Sequence, residues 1–236
     1  MVTDTAYIAR RLQLLGDWDA ALAVLAPDAD PELRAEIAFE RWMFLWAGHD
    51  EAEQAVAALD QDSPTAHLLR ARLAYSRLLF NRGPRPDDRA AAEAGYRDAI
   101  CDGDDSTRAW AEFHWGCLLD NIDGNADAAV PHFETALEYS VKHADAALES
   151  IAIRHLAAHH EPAERIRMLR RSLNLRAALA ARPYVAAAQA TLASELAEDD
   201  PERAELIEIY LAAAEEMQIP WLLGGRTGST EDDFED

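Results

Sequence analysis

His155 and His159 stand four residues apart, a spacing that puts two imidazoles on one face of a helix. Such a pair holds zinc when a carboxylate or a third histidine completes the set. The nearest upstream acid, Glu149, is six residues before His155 and points elsewhere, His160 points away, and no His-Glu-x-x-His arrangement occurs. The pair therefore reads as the lining of a helix interface or a groove, and no metal or other cofactor is expected. Cys101 and Cys117 lack metal-like spacing, and Cys117, between apolar neighbours, is expected to be buried and inert. With 44 acidic residues, any two carboxylates can be matched on paper, so such matching identifies no acid–base couple. The chain carries neither a Gly-rich phosphate loop nor a Gly-x-Ser-x-Gly elbow. It does not read as an enzyme.

The elements that must position these side chains are helical. Half of the 236 residues are hydrophobic, and Ala, Leu, Arg and Glu dominate, types that lose little rotamer freedom in a helix. Asp30-Pro31, Ser63-Pro64 and Asp200-Pro201 mark helix starts, where a short polar side chain caps free N–H groups and proline fits the first turn. Gly16, Gly48 and Gly83 mark turns, and polar breaks at 123–125, 160–162 and 198–200 continue the series. Apolar spacing near 3.6 recurs, as at Ile207, Tyr210, Leu211 and Ala214. The fold class is all-α, with six antiparallel helix pairs predicted over about 4–26, 31–60, 63–102, 105–141, 144–180 and 183–217. Domain limits are 1–219 for the helical array and 220–236 for a cap, with Trp221 covering the last pair, followed by an acidic tail expected to be disordered.

The fourth pair carries the sharpest pattern. Trp110-Ala-Glu-Phe113-His114-Trp115-Gly116-Cys117-Leu-Leu119 sets a small residue beside large ones. After a polar break, Ala129, Phe133 and Ala136 give a small–aromatic–small stripe. Ala92, Tyr96 and Ala99 repeat that stripe in the third pair. Together these segments resemble the tetratricopeptide repeat, a helix-turn-helix unit of about 34 residues that buries its apolar face only by stacking on copies of itself. Arg41 stands where the pattern wants a small residue, the fifth turn is short, and Pro131 fits only the first turn of its helix.

The resemblance implies a right-handed α-solenoid whose first helices line a concave groove. 

On the free face of those helices it places Trp42 and Trp46, Arg72 and Tyr75, Trp110, Phe113, His114, Asp120, Arg154 and His155. Trp, Tyr and Arg are the types that most often anchor binding. Trp110 and Phe113 have the better claim, since Trp115 and Leu119 fill the inward positions. The implied role is a non-catalytic adaptor or scaffold that binds a protein or peptide segment in the groove. The alternative is a module of a bacterial regulatory system that senses a small molecule or signal peptide; a metal-dependent enzyme centred on His155 and His159 ranks last. Repeats of this family that grip a peptide's C-terminal carboxylate use lysine on their first helices, and Lys142, the sole lysine, lies between the fourth and fifth pairs.

The formal net charge of -22 disfavours phosphate backbones and anionic membranes, and fits a basic partner or plain solubility. Against that background residues 161–182 carry six arginines and two glutamates, expected on the convex side and paired across the repeat interface. The Arg-for-Lys bias suits a GC-rich bacterial genome such as an actinobacterium's. Two cysteines without a pairing pattern, no signal-like N-terminus and no long apolar run suit a cytoplasmic protein.

Overall fold

A computed structural model describes residues 5–26 and 30–224, and among them it contains thirteen helices and no strand. Twelve form six antiparallel pairs: α1 (Thr5–Leu15) with α2 (Trp18–Val24), α3 (Pro31–Leu45) with α4 (His49–Ala57), and α5 (Pro64–Leu79) with α6 (Asp88–Asp102). The series continues with α7 (Asp105–Asn121) and α8 (Ala126–His143), α9 (Ala146–Ala157) and α10 (Pro162–Ala178), and α11 (Arg182–Glu195) and α12 (Pro201–Met217). Each helix packs chiefly on its neighbours in the chain, which makes the fold an all-α solenoid. The short α13 (Pro220–Leu223) follows. None of the described helices is long and apolar enough to cross a membrane.

Local chemistry sets the starts. Asp30, Ser63 and Asp200 accept hydrogen bonds from the first free backbone N–H groups, with Pro31, Pro64 and Pro201 in the first turn. Asp104, Asn125 and Asp145 cap α7, α8 and α9 in the same way. Pro131 lies in the second turn of α8, deeper than the first-turn position expected for it, on an exposed face. Arg41 reaches across to Asp19, 2.7 Å away, joining the first two pairs through an ion pair where a small contact was expected.

The small–aromatic–small stripe does what its spacing requires. Ala129, Phe133 and Ala136 are wholly buried, and Phe133 packs flat against Gly116 of α7. A Cβ at Gly116 would stand 2.7 Å from the Phe133 ring, so the α7–α8 approach depends on its absence. Ala92, Tyr96 and Ala99 are likewise fully buried between α5, α6 and α7. Each large ring so buried contributes roughly 1.5–3 kcal/mol.

The ends of the solenoid meet. Helix α1 packs on α11 and α13 packs on α3, and one apolar cluster draws Ala9, Trp18, Leu33, Ile37 and Phe44 together with Ala186, Ala214, Met217 and Leu222. The Phe44 ring lies 5.3 Å from Trp18, 5.1 Å from Tyr184 and 6.0 Å from Trp221. Gly16, at φ +83°, lets the α1–α2 turn pass against Met217 and Pro183. Trp221, expected to cover an exposed end, is instead part of this seam. The six pairs therefore form a ring whose first and last members meet at this seam. The acidic tail beyond Gly224 lies outside the described residues.

Candidate functional site

One polar side chain, or two, from each first helix lies at the same level of the ring. Gln13, Arg72 and Arg154 are the ninth residues of α1, α5 and α9, while Glu40, His114, His155 and Thr191 are the tenth residues of α3, α7, α9 and α11. All seven are half-buried, whereas their helical neighbours include the most deeply buried residues of the chain. Contacts link them into a circuit. Gln13 and Arg72 both act on the Glu40 carboxylate. Arg72 and His155 each act on His114. Arg154 donates to His155 Nε2 at 3.1 Å and, more weakly, to Thr191 Oγ1 at 3.5 Å. Tyr184 of α11 closes the circuit by donating to Glu40 Oε1 at 2.7 Å.

Burial governs the protonation states here. Desolvation raises the pKa of Glu40, against the opposing hydrogen bonds of Tyr184, Gln13 and Trp18 and the charge of Arg72. Desolvation holds His114 and His155 well below the usual imidazole range, and nearby arginine charge pushes the same way, so both rings are neutral. A neutral His155 accepts at Nε2 from Arg154, which places its proton on Nδ1. Cys117 Sγ lies 3.7 Å from the same Nε2, but burial raises the thiol pKa far above neutrality, so no thiolate forms. Burial and the neighbouring Arg154 charge bring Arg176 down to about 9.

Hydrogen bonding around the belt is incomplete. Both ring nitrogens of His114, the Nε atoms of Arg72 and Arg176, and the Tyr96 hydroxyl are buried without a hydrogen-bond partner. Leaving such groups unpaired costs about 1–3 kcal/mol each. The His114 ring stacks between Tyr96 and Trp110, each about 6.1 Å away, and meets Phe113 edge-on at 5.0 Å. Arg72 lies over the Phe39 ring at 4.3 Å. An aromatic wall with unsatisfied polar atoms and neutral imidazoles can hold a small polar ligand, with no nucleophile activated to attack it.

The sequence-derived candidates separate into two groups. Arg72, Trp110, His114, Arg154 and His155 all come to the inner belt or its edge and are half-buried. Trp42 does not: at 2 % exposure it fills the core between α3, α4 and α5 beside His49 and Phe39. Phe113, at 3 %, wedges between Phe133 and His155. Tyr75 is buried too, its hydroxyl accepting from Asn121 at 2.7 Å. The resemblance put these three on the free face of the first helices, but each packs against the adjoining helices instead. Trp115, assigned inward, stacks on His132 at 5.0 Å and stays half-buried. His159 lies beyond the end of α9 and is exposed, apart from the belt that holds His155.

Most of the 161–182 arginines pair outward as expected: Arg165 with Glu195, Arg170 with Glu202, Arg171 with Glu149 and Arg182 with Glu216. Arg176 departs from that expectation. Only 3 % exposed, it turns inward, donates to the Tyr184 carbonyl at 3.0 Å and lies 5.9 Å from that ring. Sequence reasoning also passed over Gln13, Glu40, Tyr184 and Thr191. For Gln13, Glu40 and Thr191, the ninth or tenth rank within successive first helices was the available signal.

No protein-family model matches the chain, and no curated protein matches it.

Proposed function

We propose that this chain is a non-catalytic recognition module of tetratricopeptide-like build that takes its partner against the inner wall of the ring. The observation that carries the reading is the belt: half-buried polar side chains contributed by all six first helices at one level, backed by aromatic rings and left partly unbonded. Apolar residues would fill such an interior at lower cost, so its polarity calls for an occupant that completes the hydrogen bonds. The protonated Cys117 thiol and the neutral imidazoles favour binding over nucleophilic chemistry.

Two kinds of occupant are in play: a protein or peptide segment held by an adaptor, and a small molecule or signal peptide held by a sensor. An extended segment needs an open groove, and closure of α1 on α11 favours the sensor. The chain's Arg-for-Lys bias and unpaired cysteines fit a reduced bacterial cytoplasm as its setting. Native mass spectrometry of the protein exposed separately to a bacterial metabolite extract and to a random-peptide mixture tests the reading. The expected result is a discrete adduct on the wild type that the W110A/H114A variant loses. Equal adducts on both proteins, or none on either, would contradict it.

A further inference from the structure

Three arginines inside the ring have no carboxylate. Arg72, Arg154 and Arg176 come from α5, α9 and α10, and none of them makes an ion pair among the described residues. Their charges share one space: Arg72 and Arg154 both act on Cys117, and Arg72 and Arg176 both act on Tyr184. Acids are not scarce, since the chain holds twice as many as bases. On the outside Arg10, Arg41, Arg89, Arg165 and Arg182 each sit on a carboxylate, and the buried Arg77 is matched by the equally buried Asp88.

Nor do the interior acids serve the purpose. Glu40 feels the Arg72 charge but makes no ion pair with it, and its oxygens are taken by Tyr184 at 2.7 Å and Trp18 Nε1 at 3.4 Å. Asp120 stands toward Tyr75 and Cys117, beyond ion-pair distance of any arginine. A guanidinium held away from water without a bonded carboxylate is among the more costly arrangements a fold can hold. Arg72 shows it most plainly, with a buried, unbonded Nε above the face of Phe39.

We infer that the inner wall of the ring binds a small organic anion, a carboxylate or phosphate carried on a flat apolar body, with its charge on Arg72 and Arg154 and its body against Trp110. Arg176 stands behind them and adds charge without needing direct contact. Planar guanidinium forks suit either anion, and the half-buried Trp110 ring, backed by His114, offers apolar surface to the rest of the molecule. This inference rests on the interior-recognition reading and adds the charge and shape of the ligand.

Isothermal titration of the full chain with benzoate, phenyl phosphate, benzyl alcohol and inorganic phosphate, at constant ionic strength, tests it. Benzoate or phenyl phosphate should bind at least about tenfold more tightly than benzyl alcohol or inorganic phosphate, and the stronger of the two identifies the anion. R72M and R154Q should each weaken that binding by roughly ten- to a hundredfold. Ligand-free R72M should also melt at or above the wild-type temperature, because it removes an unpaired buried charge, whereas a purely structural arginine would lower it. Equal binding of benzyl alcohol and benzoate, unchanged binding in both variants, or no binding by any titrant would overturn the anionic assignment. If adducts lost in W110A/H114A persist in native mass spectrometry under those outcomes, interior recognition still stands.

Discussion

Tyr184 and Glu40, 144 residues apart in sequence, share a 2.7 Å hydrogen bond that ties α11 to α3. The bond joins the sixth helix pair to the second and sits beside the stack of Phe44, Trp18 and Trp221 that seals the ring. It places a carboxyl group where desolvation outweighs its partners and raises its pKa.

Stability should register that carboxyl group. Glu40 has a folded pKa above its ordinary value of 4.5, so its protonated form is favoured by folding. Its contribution is fully present below pH 4.5 and declines as pH rises through the raised folded pKa. The groups facing it are Tyr184, Gln13, Arg72 and Trp18, and only Arg72 carries charge near neutrality. E40Q keeps an acceptor for Tyr184 but cannot ionise. Urea denaturation across pH should show the stability of E40Q relative to wild type increasing from pH 4.5 upward and then levelling. A difference that shrinks with pH would contradict the assignment.

Gly116 should be intolerant of a single added carbon. Alanine favours a helix by about 1 kcal/mol over glycine, but its Cβ would meet the Phe133 ring at 2.7 Å inside a closed core. Overpacking there costs about 1–3 kcal/mol, so G116A should be destabilised overall by up to about 2 kcal/mol in thermal or urea unfolding. F133L should relieve part of that loss in the double variant. Additive losses would place the strain elsewhere.

The two cysteines should differ sharply in reactivity. Cys101 is exposed, whereas Cys117 is 3 % exposed and its thiol pKa is raised by burial. Titration with a thiol-reactive dye should find one fast group in the native protein and two after denaturation. Rapid labelling of both in the native state would show that the interior is open.

Much of this architecture is legible in the sequence because its signals are local. The Asp-Pro and Ser-Pro caps, the turn glycines and the Ala129–Phe133–Ala136 stripe act within a turn or two of the chain, and they locate six pairs to within a few residues. Ring closure is not local. Gly16 against Met217, or Tyr184 against Glu40, leaves no periodic mark, since each residue is also plausible at a surface. The misplaced side chains have a nearer cause. Helical period tells which residues share a face, and it put Trp42 with Trp46 and Phe113 with Trp110. It does not tell how far the adjoining helices cover that face, and Trp42 and Phe113 are buried by neighbours in the chain. Arg176 shows the converse, a residue on a second helix that turns inward because it sits near the turn into α11, beside Tyr184.

Closure of the ring is the claim on which the belt and its occupant depend, and a distance across the seam tests it directly. Leu15 and Glu216 are exposed residues on opposite sides of that seam and line one shared cavity with Trp18, Arg182 and Met217. Spin labels at L15C and E216C, in a C101S background, should give a single narrow distribution at short distance in pulsed electron–electron resonance. A broad distribution centred at the long separation of an open solenoid's two ends would contradict the account.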